Sequence, residues 1–236
     1  MHAIRTIPFS LLALAAVVVA GCAAVGVRDK TYHPHVDPAN FTAGVVDNPY
    51  FPLVPGTVFT FIEKSKGETS ENIVTVTRDT KEIMGVKCVV VHDVVKKHGR
   101  VAEDTYDWYA QDKQGAVWYF GEDTKEISPG GRINTAGSWS AGVNGQPGVI
   151  MPAHRAPGKP YRQEYSPNNA EDMGQVIAVD ETVTVPYGRF TGCVKTKDWS
   201  LLESGSENKW YAKGIGCVRA VGTDGNTEEL VSVTHE

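Results

Sequence analysis

Two stretches of the chain gather side chains that can do chemistry. In Glu103-Asp-Thr-Tyr-Asp-Trp-Tyr109 a strand's period of two puts Glu103, Thr105, Asp107 and Tyr109 on one face and Asp104, Tyr106 and Trp108 on the other. Glu103 and Asp107 then stand about 13 Å apart at a rise of ~3.3 Å per residue, too far for one acid/base pair without a bulge. Glu122 and Asp123 follow on the next apolar run. A hairpin about Lys113-Gln-Gly115 would bring Asp107 and Glu122 onto adjacent strands. The second set is His154 with Arg162, Glu164, Glu171 and Asp172. An imidazole beside several carboxylates can act as a general base with an orienting acid, or hold a divalent cation. His154, Glu164 and Asp107 are the catalytic candidates. Trp108, Trp118, Trp139, Arg162, Glu171 and Asp172 are the ligand-binding ones, because indole rings at a barrel mouth suit a sugar, an aromatic or a lipid. A solvated strand face, loop-fixing ion pairs and core packing account for the same residues without any ligand.

No sequence motif narrows these options. There is no Gly-x-Ser-x-Gly elbow, Walker loop, Gly-x-Gly-x-x-Gly or His-Glu-x-x-His, so nucleotide chemistry and the familiar serine hydrolases and zincins lose support. The sequence identifies neither a metal nor a cofactor. With 23 Lys+Arg against 28 Asp+Glu and a net charge of −5, and without a basic cluster, nucleic acid is not an expected partner.

The elements that must position these residues are strands. Thr57–Ile62, Ile73–Arg78, Val86–Val91, Arg100–Tyr109 and Ala116–Phe120 are β-branched and aromatic runs, with Met84-Gly85 and His98-Gly99 as turns between them. Gln175–Val185, Arg189–Trp199, Asn208–Ala212, Cys217–Val221 and Glu228–Val233 continue the pattern, the last two joined by Thr223-Asp-Gly-Asn226. No sustained helical stripe occurs. The expected fold is all-β: an antiparallel meander curled into a barrel or half-barrel, calycin-like or lipoprotein-localisation-like. One domain is expected over 48–236. Residues 127–169, rich in Gly, Pro, Ser and Asn, read as a long irregular loop, and such loops are commonly functional.

The N-terminus has the parts of an export signal. Arg5 is its only charge, and the uninterrupted apolar core Leu11–Ala20 is about half the roughly 20 residues a membrane-spanning helix needs. Val19-Ala20-Gly21-Cys22 resembles the lipobox of bacterial lipoproteins. That implies cleavage after residue 21, acylation of Cys22 and a lipid anchor in the cell envelope. Ala23 favours the outer membrane if the envelope is Gram-negative. Residues 22–47 read as a tether. Of the remaining cysteines, Cys88, Cys193 and Cys217, the exported compartment permits one disulfide, with Cys88–Cys193 the preferred pair.

Several motifs carry a wider resemblance. They include Asn48-Pro-Tyr-Phe-Pro-Leu-Val-Pro-Gly56, Glu103–Asp112, Val117–Thr124, Met151-Pro-Ala-His154, Tyr161-Arg-Gln-Glu-Tyr165, Ala170-Glu-Asp-Met173 and Trp210-Tyr-Ala-Lys-Gly-Ile-Gly216. Together they resemble an uncharacterised family of bacterial exported lipoproteins, a resemblance that implies a sheet domain of the half-barrel kind and brings no catalytic assignment. Two functions are expected to compete. One is a lipid-anchored β-domain that binds a small molecule, glycan or envelope component beneath residues 127–169. The other is an exported hydrolase or lyase, with or without metal assistance, built on His154 and nearby carboxylates.

Overall fold

A computed structural model describes residues 32–236. The export signal, Cys22 and the first part of the expected tether lie outside the described residues.

The first half is a meander of five long antiparallel strands: β1 (Thr57–Ser65), β2 (Glu68–Ile83), β3 (Val86–Lys97), β4 (Arg100–Gln111) and β5 (Val117–Ile127). The turns Lys66-Gly67, Met84-Gly85 and His98-Gly99 each place two successive residues at positive φ. Two-residue hairpins need that geometry to match the right-handed twist of their strands, and the glycine makes it accessible. The second half holds β11 (Asp172–Val185), β12 (Gly188–Ser200), β13 (Glu207–Ala212), β14 (Gly216–Gly222) and β15 (Thr227–His235), and β15 pairs with β1. The resulting antiparallel sheet is nearly closed into a barrel, as an all-β meander predicts.

The interval 127–169 is not a loop throughout. It carries β6 (Ile133–Asn134) and β7 (Trp139–Ser140), which fold back on β5, and β8 (Gln146–Met151), which extends the sheet. β9 (Tyr161–Arg162) and β10 (Glu164–Tyr165) follow, separated only by Gln163. The first pairs with β11 and the second with β8, so one short segment spans the two ends of the sheet. Glycine makes the close approach possible: a Cβ on Gly148 would overlap the Gln163 carbonyl, and one on Gly174 would meet the Gln163 side chain. Two-residue strands built around such glycines leave no β-branched run to read in the sequence.

Residues 32–47 are not a free tether over their described part. Phe41 forms a bridge with Asp112 and packs edge-on against Trp118 and Phe120. The Tyr32 hydroxyl donates to the Pro147 carbonyl at 3.0 Å. The next segment seats Phe51 and Leu53 in the core, Phe51 lying 5.4 Å from the Tyr109 ring.

The expected Cys88–Cys193 disulfide is absent: Cys88, Cys193 and Cys217 are all free and buried. Cys88 lies on β3 and Cys193 on β12, with five strands between them along the sheet, whereas a disulfide needs Cα atoms within about 7 Å.

Candidate functional site

The interior is apolar at one end and carboxyl-lined at the other. On β1 the inward face runs Thr57, Phe59, Phe61, Glu63, and on β3 Val91, Asp93 and Val95 are all buried. Among the described residues ten Asp and Glu side chains are buried against one lysine and one arginine. That many carboxylates cannot all stay ionised away from water, so they must be protonated or meet a cation.

A bulge in β5 helps to build this lining. Asp107 pairs with Glu122 and Tyr109 with Tyr119, so Trp108 of β4 faces both Phe120 and Gly121 of β5. The extra residue reverses the alternation of β5. Tyr119 and Glu122 therefore share the interior face, while Phe120 meets Phe41. Gly121 sits at φ +125°, and a Cβ there would overlap the Trp139 carbonyl.

Three groups of carboxyls follow. In the first, Asp107 Oδ1 accepts a 2.6 Å bond from the Tyr119 hydroxyl, while its Oδ2 has no partner. Burial pushes this carboxyl up to about 7 against the opposing effect of the Tyr119 bond. Both oxygens of the fully buried Asp93 are unpartnered. Burial, followed by Asp107, Glu103, Glu228 and Glu63, holds Asp93 well above the carboxylate range. Asn72 donates to Glu228 at 3.0 Å and Ser70 to Glu63 at 2.7 Å.

The second group lies where the sheet closes. Glu164 Oε2 accepts from Trp139 Nε1 at 2.8 Å, and the Glu164 and Asp172 carboxyls hydrogen-bond to each other. Two carboxyls can do so only by sharing a proton. Burial and then Asp172 raise Glu164 well above its ordinary range, and burial pushes Asp172 up to about 7.

In the third group Lys209 Nζ lies 2.9 Å from Glu207 and 3.5 Å from Asp198. Burial alone would lower the Lys209 pKa, but Glu207, Tyr211 and Asp198 outweigh it and keep the ammonium charged. Burial still holds Glu207 at about 7 despite the lysine.

The candidates from the sequence divide accordingly. Asp107, Glu164, Asp172 and Trp139 face the interior. Trp108 is on the opposite side of β4 from Asp107, with the Lys81 ammonium 3.2 Å above its ring. Trp118 is half-buried under Phe41 and donates to Asp112 at 2.9 Å. Arg162 faces Glu171 at 3.9 Å, and its guanidinium lies over the Tyr165 ring. His154 is exposed, and among the described residues no hydrogen bond or ion pair joins it to Glu164 or Asp107. Among the described residues no group of three or more His, Cys, Asp or Glu is arranged to hold a metal ion. Asp93, Glu228, Glu207, Lys209 and Asp198 escaped the sequence reading. Their signal is an ionisable residue standing where an apolar strand face should continue, as in Val91-His-Asp93-Val-Val95.

No protein-family model matches the chain, and no curated protein matches it in sequence. Two solved structures resemble it. One, from Bacteroides fragilis and described as an exported protein with a YmcC-like fold, is 18% identical and aligns over 78% of this chain and 98% of its own, with a TM-score of 0.49. The other, from Parabacteroides distasonis and described as a lipoprotein, is 16% identical over 79% of this chain and 99% of its own, with a TM-score of 0.47. At these identities and TM-scores the likeness assigns no activity and no residue role to this chain.

Proposed function

We propose that this chain is an exported envelope protein, held at a membrane by lipid on Cys22, whose barrel binds a small molecule or glycan in the carboxyl-lined half of its interior. The observation that carries the reading is the set of buried polar atoms turned inward without partners: both oxygens of Asp93 and Oδ2 of Asp107. A fold that needed these positions only for packing would be more stable with apolar residues there, since each unsatisfied buried polar group costs on the order of 1–3 kcal/mol. The interval 127–169 contributes Trp139 and Glu164 to the same interior. No observation favours the hydrolase reading, because its imidazole is at the surface.

The experiment has two parts. The full chain, purified from its producing cells, is denatured and the released small molecules are analysed by mass spectrometry. The refolded chain is then screened by thermal shift against glycans, amines and lipids. A co-purifying compound that raises the melting temperature on being added back supports binding, whereas an empty barrel indifferent to every class refutes it. The anchor is read separately, by metabolic labelling with a fatty acid. Wild type should carry label and Cys22→Ser none, and equal labelling of the two refutes the lipid attachment.

A further inference from the structure

Around Asp93 the side-chain hydrogen-bond donors are nearly all used: among the described residues the Tyr109 hydroxyl, two residues along β4 from Asp107, is the buried donor left without a partner there. Asp93 pairs across the sheet with Val74 of β2 and Thr105 of β4. The Thr105 hydroxyl is engaged by Glu103 at 3.1 Å and Thr124 at 2.7 Å. The Tyr119 hydroxyl is committed to Asp107, the Asn72 amide to Glu228 and the Ser70 hydroxyl to Glu63. Against that one hydroxyl stand three acceptor oxygens without partners, both of Asp93 and Oδ2 of Asp107, on side chains with no exposed surface.

This imbalance discriminates between ligand chemistries. A sugar hydroxyl offers one donor but brings lone pairs that themselves need donors, and a carbonyl brings only lone pairs. The Tyr109 hydroxyl could serve one such lone pair, but either ligand would leave most of the carboxyl oxygens without a donor. A protonated amine brings three N–H donors, no acceptor and a positive charge among carboxyls. We infer that the ligand of this barrel carries a protonated amine, and that Asp93 and Asp107 on adjacent strands hold it. The inference rests on the interior-binding reading above and narrows its ligand class. A proton shared among the carboxyls is the competing way to fill the same acceptors, and amine binding decides between the two.

Amino sugars and aliphatic polyamines share this chemistry, and matched pairs separate them. Calorimetric titration of the full chain compares glucosamine with glucose, and putrescine with butanediol. At least one amine should bind ten times or more tightly than its neutral counterpart, and the pair that shows the difference names the source. Asp93→Asn, which keeps the shape and removes the charge, should weaken that amine at least tenfold. Asp104→Asn, on the outer face where Asp104 meets His92 at 2.8 Å, should leave the affinity unchanged. If Asp93→Asn does not fold, Asp107→Asn is titrated and read in the same way. Equal affinity for amine and neutral partner, or full affinity in the folded Asp93→Asn chain, overturns the inference. Neutral glycans binding where amines do not would overturn the amine and leave interior binding standing. Failure of every compound would overturn the amine and leave interior binding to the screen of the other ligand classes.

Discussion

Replacing Asp107 with asparagine should stabilise the protein, and only at neutral pH and above. The folded chain raises this carboxyl from its ordinary 3.8 to about 7. Each unit of difference between folded and unfolded states is worth about 1.4 kcal/mol. Because the folded value is the higher one, the group's contribution is fully present below about pH 4 and declines as pH rises, until the folded carboxyl ionises near 7. By pH 8 the loss amounts to about 4 kcal/mol. Asparagine has no proton to lose and escapes it. Its Oδ1 can still accept the Tyr119 hydroxyl, and its amide hydrogens point where Oδ2 has no partner. The variant should therefore exceed wild type by about 2–4 kcal/mol at pH 8, or roughly 5–15 °C in melting temperature for a domain of this size. At pH 4 the two should lie within about 1 kcal/mol, the scale of one altered hydrogen bond. Urea unfolding of both ligand-free proteins at pH 4, 6 and 8 measures the difference directly. A variant less stable than wild type at pH 8, or a difference that does not change with pH, would refute the view that Asp107 is a buried carboxyl ionising at a cost.

Wild type itself should lose stability between pH 4 and 7, because Asp107, Asp172 and Glu207 are each raised to about 7. Melting temperatures across that range check it, and a rising or flat profile contradicts the assignment. Thiol titration of unfolded, unreduced Cys22→Ser chain should count Cys88, Cys193 and Cys217 as free, whereas a count of one would restore a disulfide. Gly121→Ala should cost about 3 kcal/mol or more by chemical denaturation, since it combines a left-handed backbone with overlap on the Trp139 carbonyl. His154→Gln should shift stability by no more than about 0.5 kcal/mol, as for an exposed side chain. If it instead removed a turnover or a bound metal, the catalytic reading of His154 would return.

The parts of this molecule that were legible in the sequence are those set by local chemistry. Met84-Gly85 and His98-Gly99 announce two-residue hairpins through their glycines, which take positive φ without strain, although the first position of such a turn more often holds Asn or Asp. Period two places Thr105, Asp107 and Tyr109 on one face, and all three are buried. The hairpin reading likewise set Asp107 beside Glu122. What it could not supply was the bulge at Phe120-Gly121 that turns Glu122 inward; strict alternation from Tyr119 sends it to the solvent side. The closing segment was illegible for a different reason. Tyr161–Tyr165 is extended because two separate strands, β8 and β11, each pair with part of it, and neither partner is near in sequence.

Asp93 shows where reading an inward face by its apolar residues misleads. His92 and Asp93 fall in a run of valines, and an ionisable pair there reads as a break in the strand's apolar face. The structure keeps the strand unbroken and puts His92 outside, stacked on Tyr106 with ring centroids 4.2 Å apart. Asp93 is inside between Val91 and Val95. The same substitution of an acid for an apolar residue occurs at Glu63 after Phe59 and Phe61 on β1, and at Glu228 before Leu230 on β15. In the sheet β3, β2, β1 and β15 follow one another, Glu63 pairs directly with Glu228, and both act electrostatically on Asp93 in the same interior. Any one of them alone would be a costly accident of sequence. Their nearness in one interior requires a cation or bound protons, and only strand pairing across the sheet brings them together.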